Sequence, residues 1–75
     1  MTTITAENIF RCETENEVKN LIEKAAGQTE YLGLVGAGFD YHSFSEHVVI
    51  ARAYCLEEMA KLFQAAVEAI ERFNR

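Results

Sequence analysis

Apolar residues recur every three or four positions in two long stretches of this 75-residue chain, with a short glycine-containing segment between them. This spacing is typical of helices that bury one face. The first stretch predicts a helix over residues 14–36 and the second a helix over residues 44–74. Together they predict an all-α fold, a helical hairpin that forms one small domain over residues 1–75.

Both predicted helices begin at a capping box. These are "TENE" (Thr14 to Glu17) and "SFSE" (Ser43 to Glu46). In each, the hydroxyl of the first residue can accept from the backbone amide of the fourth, and the carboxylate of that fourth residue, a glutamate, can accept from the backbone amide of the first. After the second box no glycine or proline interrupts the chain, so this helix is expected to run unbroken for about 30 residues.

The first 13 residues give a weaker signal. Ile4, Ala6, Phe10 and Cys12 fall on one side of an alternating strand, whereas "TAEN" can equally cap a short helical turn. We expect a short extended or irregular N-terminal arm.

The apolar face of the second helix is wider than one shorter partner helix can cover. A chain of this length also buries only about 60% of its unfolded surface when it folds alone. We therefore predict a homodimer in which two hairpins form a four-helix bundle. Its predicted interface comprises apolar residues of the second helix: Val49, Leu56, Met59, Phe63, Val67, Ile70 and Phe73.

The segment "GLVGAGFDYH" (residues 33–42) contains part of a dinucleotide-binding pattern. Gly36 and Gly38 supply two of the three glycines of GxGxxG, but Tyr41 stands at the third, and too few residues flank the loop to build the parallel sheet that such a site needs. Gly36 or Gly38 is expected instead to end the first helix. The segment is thus predicted to be the turn of the hairpin, with no nucleotide and no other cofactor.

This turn carries aromatic side chains where polar ones are usual. In one interpretation Phe39 and Phe44 fold back over the end of the bundle. In the other, Phe39, Asp40, Tyr41 and His42 bind another protein, with Tyr41 as the main anchor.

Charge narrows the choice of partner. Twelve acidic and seven basic residues give a net charge of −5, which repels phosphate backbones and favours a basic protein over nucleic acid. Glu7, Glu13, Glu15 and Glu17 form an acidic end, of which the last three are a second candidate surface for binding a partner or for partly mimicking nucleic acid. Their simpler interpretation is solvated side chains that suit a helix N-terminus.

Other chemistry is weakly indicated. Asp40, His42, Glu46 and His47 match no strong metal-binding spacing, and no catalytic motif is present, so neither a metal site nor an enzyme is predicted. Cys12 and Cys55 form no CxxC motif and are expected to be small buried hydrophobic residues in a reducing compartment, with a disulfide or a reactive thiol as the alternative. The chain has no signal-peptide pattern or membrane-spanning stretch, so we expect a cytoplasmic protein without membrane contact.

These features favour a non-enzymatic, protein-binding regulator or inhibitor. Its size and charge are like those of small inhibitors and adaptors of phages and mobile elements, which is an analogy only. The alternatives are a structural subunit of a larger assembly and a metal or small-molecule sensor that uses the histidines.

Overall fold

The computed structural model describes residues 3–75, which form five α-helices and a 3₁₀ segment and contain no strand. The all-α prediction is therefore confirmed. Met1 and Thr2, which begin the predicted N-terminal arm, lie outside the described residues. The elements in chain order are α1 (Ala6–Phe10), α2 (Glu15–Gly27), α3 (Tyr31–Val35), the 3₁₀ segment (Gly36–Tyr41), α4 (Phe44–Ala53) and α5 (Glu57–Phe73).

The N-terminal segment is helical from residue 6, so the extended form of the arm is wrong there and the "TAEN" alternative is confirmed. Thr5 caps α1, because its hydroxyl accepts from the Asn8 amide at 3.4 Å and its own amide donates to the Asn8 side chain at 2.9 Å. Ile9 is buried in the core, and this burial fixes α1 against the rest of the chain.

Both capping hydroxyls act as predicted. The Glu17 amide donates to the Thr14 hydroxyl at 3.2 Å, and the Glu46 amide donates to the Ser43 hydroxyl at 3.3 Å. The second box is complete, since the Ser43 amide also donates to the Glu46 carboxylate at 3.3 Å. The first is not, because the Glu17 carboxylate accepts from the Glu13 amide at 3.2 Å instead.

The predicted helix over residues 14–36 is two helices, α2 and α3. α2 ends at Gly27, and Thr29 then bridges the break: its hydroxyl donates to the Ala26 carbonyl at 3.0 Å and accepts from the Tyr31 amide at 3.1 Å. The break changes the helical phase, so Tyr31 is fully buried. α3 ends at Gly36, as one alternative predicted, with φ of 55° and ψ of −134°, a conformation that is accessible almost only to glycine.

The predicted unbroken helix over residues 44–74 is also two helices, α4 and α5. The Leu56 amide donates to the Ala51 carbonyl at 2.9 Å and the Cys55 amide to the Arg52 carbonyl at 3.0 Å, the two hydrogen bonds of a Schellman motif. Cys55 takes the left-handed position that glycine usually occupies, with φ of 62°. The chain then reverses, and α4 packs along α5.

α5 is the central helix of the fold, because α1, α2 and α4 all pack against it. Its alanines at positions 60, 65, 66 and 69 are buried, and such short side chains let several helices approach closely. Arg72 fastens the N-terminal segment to this helix by donating to the Phe10 carbonyl at 3.0 Å. The wide apolar face is thus covered largely by the chain's own helices.

The residues predicted to form the dimer interface are distributed unevenly. Met59 and Phe63 are core residues of the single chain, so they leave no surface for a second copy, and their assignment to an interface is corrected. Leu56, Val67, Ile70 and Phe73 are half-buried, and Val49 is 67% exposed. The homodimer stays a prediction, although the uncovered Phe63 that motivated it is not observed.

Replacing Cys55 by glycine is expected to stabilise the fold by about 1 kcal/mol, because a left-handed non-glycine residue costs about that much. Cys55→Ala is the matched control, since it also removes the thiol but retains a Cβ. Urea unfolding of the three proteins measures the difference. Equal stability of the glycine and alanine variants would contradict the left-handed helix end.

Candidate protein-binding groove

Four elements meet at an aromatic cluster, which consists of Tyr31, Phe39, Phe44, His47 and Phe63. The His47 ring stacks on the Phe63 ring with centroids 4.8 Å apart. Tyr31 meets His47 nearly edge-on at 5.5 Å, and Phe39 lies 5.0 Å from His47. The cluster therefore joins α3, the 3₁₀ segment, α4 and α5 through side chains.

His47 is fully buried, and both of its ring nitrogens are hydrogen-bonded. Nε2 lies 3.0 Å from the Phe39 carbonyl, which can only accept, so Nε2 carries the proton. Nδ1 lies 2.5 Å from the Tyr31 hydroxyl, which can donate or accept, so this contact fits both a neutral ring and a charged one.

Burial favours the neutral forms of His47 and Tyr31, in which Nδ1 accepts from the Tyr31 hydroxyl. Desolvation lowers the pKa of His47, and the hydrogen bond to Phe39 opposes that shift only in part. Desolvation also raises the pKa of Tyr31 to about 12, with a smaller contribution from Tyr54. The pair therefore stays neutral at physiological pH.

The cluster fixes the conformation of the turn, which in the structure is the 3₁₀ segment (Gly36–Tyr41) and the residues that lead into α4. Phe39 is held by its ring and by its carbonyl, and Phe44 packs against Phe63 with centroids 5.9 Å apart, as the fold-back interpretation predicts. Asp40 and His42 are exposed, and Tyr41 is 83% exposed. The turn thus presents polar groups and one tyrosine on an anchored backbone.

An open groove of about 570 Å³ lies beside this cluster. Its apolar lining consists of Phe39, Phe44, Val67 and Ile70, all half-buried. Its polar lining comes from α2, the turn, α4 and α5: Glu15, Lys19, Glu23, Asp40, His42, Ser43, Ser45 and Glu71.

The groove is acidic. Four carboxylates and one ammonium line it, a net charge of −3 with His42 neutral. Glu15, Lys19 and Glu23 stand four residues apart on α2 and so follow one side of the helix. A cationic partner would gain electrostatic energy from this surface.

His42 is held at the edge of the groove by Glu46. Its Nδ1 lies 3.0 Å from the Glu46 carboxylate, which also accepts from the Ser43 amide. The hydrogen bond from His42, followed by those from Ser43, lowers the pKa of Glu46. The carboxylate therefore stays ionised and caps α4 above mildly acidic pH.

The groove unites residues that the sequence assigned to separate surfaces. Phe39, Asp40 and His42 from the turn, Glu15 from the acidic end, and Val67 and Ile70 from the predicted dimer interface all line it. Tyr41, Glu13 and Glu17 do not.

Sequence reasoning missed Tyr31 and the groove residues Lys19, Glu23, Ser45 and Glu71. The run "GQTE" after the buried Ala26 was the available signal for Tyr31, because a polar stretch there marks the end of α2 and a change of phase. No pattern in the sequence links the charges of α2 to those of α5, since only the packing of the two helices brings them to one groove.

The other candidate chemistry is dispersed. Within residues 3–75 no three His, Cys, Asp or Glu side chains converge as metal ligands do. Cys12 is buried as predicted, with its thiol 3.5 Å from the Asn8 carbonyl. The predicted burial of Cys55 is wrong, because this residue lies in the exposed left-handed end of α4. No helix in this part of the chain combines the length and the apolar character that a membrane crossing requires.

The chain shows no detectable likeness to known proteins: no family model, no curated protein and no solved structure matches it. A functional proposal for this chain therefore depends on its own geometry, above all on the aromatic cluster and the acidic groove.

Stability is expected to fall between about pH 7 and pH 5.5, by up to about 1.4 kcal/mol per pH unit, because unfolded histidine binds a proton near pH 6.5 while buried His47 resists it. The contribution of neutral His47 to the free energy of unfolding is complete above the pKa that histidine has in the unfolded chain, and it is lost as the pH falls below that value. The carboxylate of Glu46, whose pKa is lowered from 4.5, loses its own contribution only at lower pH.

Urea unfolding of two variants distinguishes the contributions of the two histidines to this pH dependence. His47→Gln should remove most of this pH dependence, whereas His42→Gln should retain it. The opposite result would contradict a buried, neutral His47.

Proposed function

We propose that this protein is a non-enzymatic, protein-binding regulator or inhibitor, and that the acidic groove is its partner-binding surface. One observation carries the proposal: half-buried apolar side chains and exposed carboxylates line the same open groove. An apolar centre with a polar rim is the usual anatomy of a protein interface. The groove also contains residues of both surfaces that the sequence marked for binding.

The reactive side chains near the groove support a binding role over catalysis. Both ring nitrogens of His47 are engaged inside the protein. His42 is paired with Glu46, and the Ser43 hydroxyl accepts from the Glu46 amide as a helix cap. These groups hold the turn and cap α4, and among residues 3–75 no serine hydroxyl is hydrogen-bonded to a histidine as a nucleophile is to its base.

A homodimer is a second part of the proposal, and it uses a different surface. Val49 on α4 is 67% exposed and Tyr54 at the end of that helix is 47% exposed, so α4 offers apolar area for self-association in a four-helix arrangement. The groove is unsuited to this purpose, because two copies would bring the same carboxylates together. The exposed apolar residues of α4 also fit the alternative function, in which this protein is a structural subunit of a larger assembly.

Blocking the groove should abolish partner capture from native lysate. Ser45→Arg places a long cationic side chain in the groove, whereas Asn20→Arg places the same side chain on an exposed position of α2 outside it. A partner identified by mass spectrometry should be retained by the wild type and by Asn20→Arg and lost from Ser45→Arg. Equal capture by both variants would contradict a groove-dependent function.

Tyr41 is the expected anchor at the edge of the binding surface, because it is 83% exposed and adjoins Asp40 and His42 in the anchored turn. Tyr41→Ala should weaken the captured partner by about 2 kcal/mol, as at a hot spot, and leave the melting temperature nearly unchanged. Calorimetry of binding and of unfolding measures both quantities. Unchanged affinity would restrict the interface to the groove and exclude Tyr41 from it.

A further inference from the structure

We infer that the groove binds a basic amphipathic helix of the partner protein, an inference that rests on the proposed function. Helices bind in grooves by placing apolar residues on the groove floor while polar residues face its edges. The chemistry required of this helix can be derived from the groove lining, one side at a time.

The α2 side of the groove gives its length. Glu15 and Glu23 are eight residues apart on one helix, a separation of about 12 Å at 1.5 Å per residue. This length matches about two turns of a second helix lying alongside. An apolar strip of that length on the partner would occupy positions i, i+3 or i+4, and i+7.

The floor of the groove is suited to those apolar residues. Val67 and Ile70 are three residues apart on α5, and Phe39 and Phe44 extend the apolar surface towards the turn. All four are half-buried in the free protein, so a bound helix would remove the rest of their surface from water. Phe39 and Phe44 are held by the aromatic cluster, so this part of the floor needs little rearrangement on binding.

The charges specify the flanks of the helix. Glu15 and Glu23 favour lysine or arginine residues about two turns apart on the partner helix. Lys19 lies between them and favours an acidic or neutral residue midway between those two positions. Asp40 and Glu71 supply further negative charge from the turn and from α5. The preferred partner therefore alternates in charge along its α2-facing side and is basic overall.

The same charges disfavour the other occupants. A second copy of this chain carries a net charge of −5, and nucleic acid carries a phosphate at every nucleotide, so both meet repulsion at the groove. A basic helix is the occupant whose apolar and charged groups both find counterparts there.

Three designed helical peptides of about 18 residues test the inference, with identical leucine and phenylalanine positions and flanks of lysine, glutamine or glutamate. At low salt the lysine peptide should bind about tenfold more tightly than the glutamine peptide, and the glutamate peptide most weakly. Amide chemical shifts should change at Phe39, Phe44, Val67 and Ile70. A fourth peptide, with lysine flanks and serine in place of the apolar residues, should bind at least about tenfold more weakly than the lysine peptide.

Charge reversal in the protein provides the matched control. Glu23→Lys lies in the groove and Glu68→Lys lies outside it, both substitutions fall within long helices, and both change the net charge equally. Affinity for the lysine peptide should fall about tenfold for Glu23→Lys and stay within about twofold for Glu68→Lys.

The inference is overturned if the glutamine peptide binds as tightly as the lysine peptide, if the shift changes lie outside the groove, or if both reversals weaken binding equally. If no peptide binds but the wild type captures a lysate partner that Ser45→Arg does not capture, the inference of a helical partner is wrong and the proposed function stands. If no peptide binds and Ser45→Arg captures the lysate partner as the wild type does, both the helical partner and the proposed function are contradicted.

Discussion

The buried hydrogen bonds of His47 are the constraint on which the half of this structure that contains the groove depends. One imidazole accepts from Tyr31 on α3 and donates to the Phe39 carbonyl of the 3₁₀ segment, while its ring stacks on Phe63 of α5. An unpaired polar atom in this position would cost about 1–3 kcal/mol, so the two hydrogen bonds are made together or the turn rearranges. The Phe39 carbonyl can only accept, which fixes a proton on Nε2, and burial lowers the pKa of His47 and so favours the neutral ring.

The groove is a consequence of this constraint and of the central position of α5. Holding Phe39 and packing Phe44 on Phe63 places two aromatic rings at the groove floor. Packing α2 against α5 then brings Glu15, Lys19 and Glu23 to one side of that floor. Neither set of side chains makes a binding surface alone. Their combination gives an apolar centre with acidic edges, which is the basis for the proposal of a basic helical partner.

Local chemistry predicted the helix starts well and the helix breaks poorly. The hydroxyls of Thr14 and Ser43 cap their helices as the sequence indicated, because capping involves residues only three positions apart. Cys55 adopts a left-handed conformation that costs about 1–2 kcal/mol locally, and packing of α4 along α5 offsets that cost. A sequence pattern contains the local preference but not the tertiary packing that outweighs it.

The candidate site was predictable to a similar extent. Phe39, Asp40, His42 and Glu15 were predicted to bind a partner because aromatic turns and acid clusters stand out in a sequence, and the structure brings all four to one groove. Their role in binding stays a prediction. Tyr31 was not identified, since its burial depends on the break at Thr29. Met59 and Phe63 were placed at an interface because an uncovered apolar face was expected, whereas other helices of the same chain cover it.

The protonation state of His47 is the most direct test of this account, and long-range nitrogen–proton NMR correlations of the imidazole rings measure it. The account predicts that His47 at neutral pH is the neutral tautomer with the proton on Nε2, with Nδ1 in a hydrogen bond and ring contacts to Tyr31, Phe39 and Phe63. This state should persist as the pH is lowered through the usual histidine range near 6.5. A ring that titrates like a solvent-exposed histidine, or one that carries its proton on Nδ1, would contradict it.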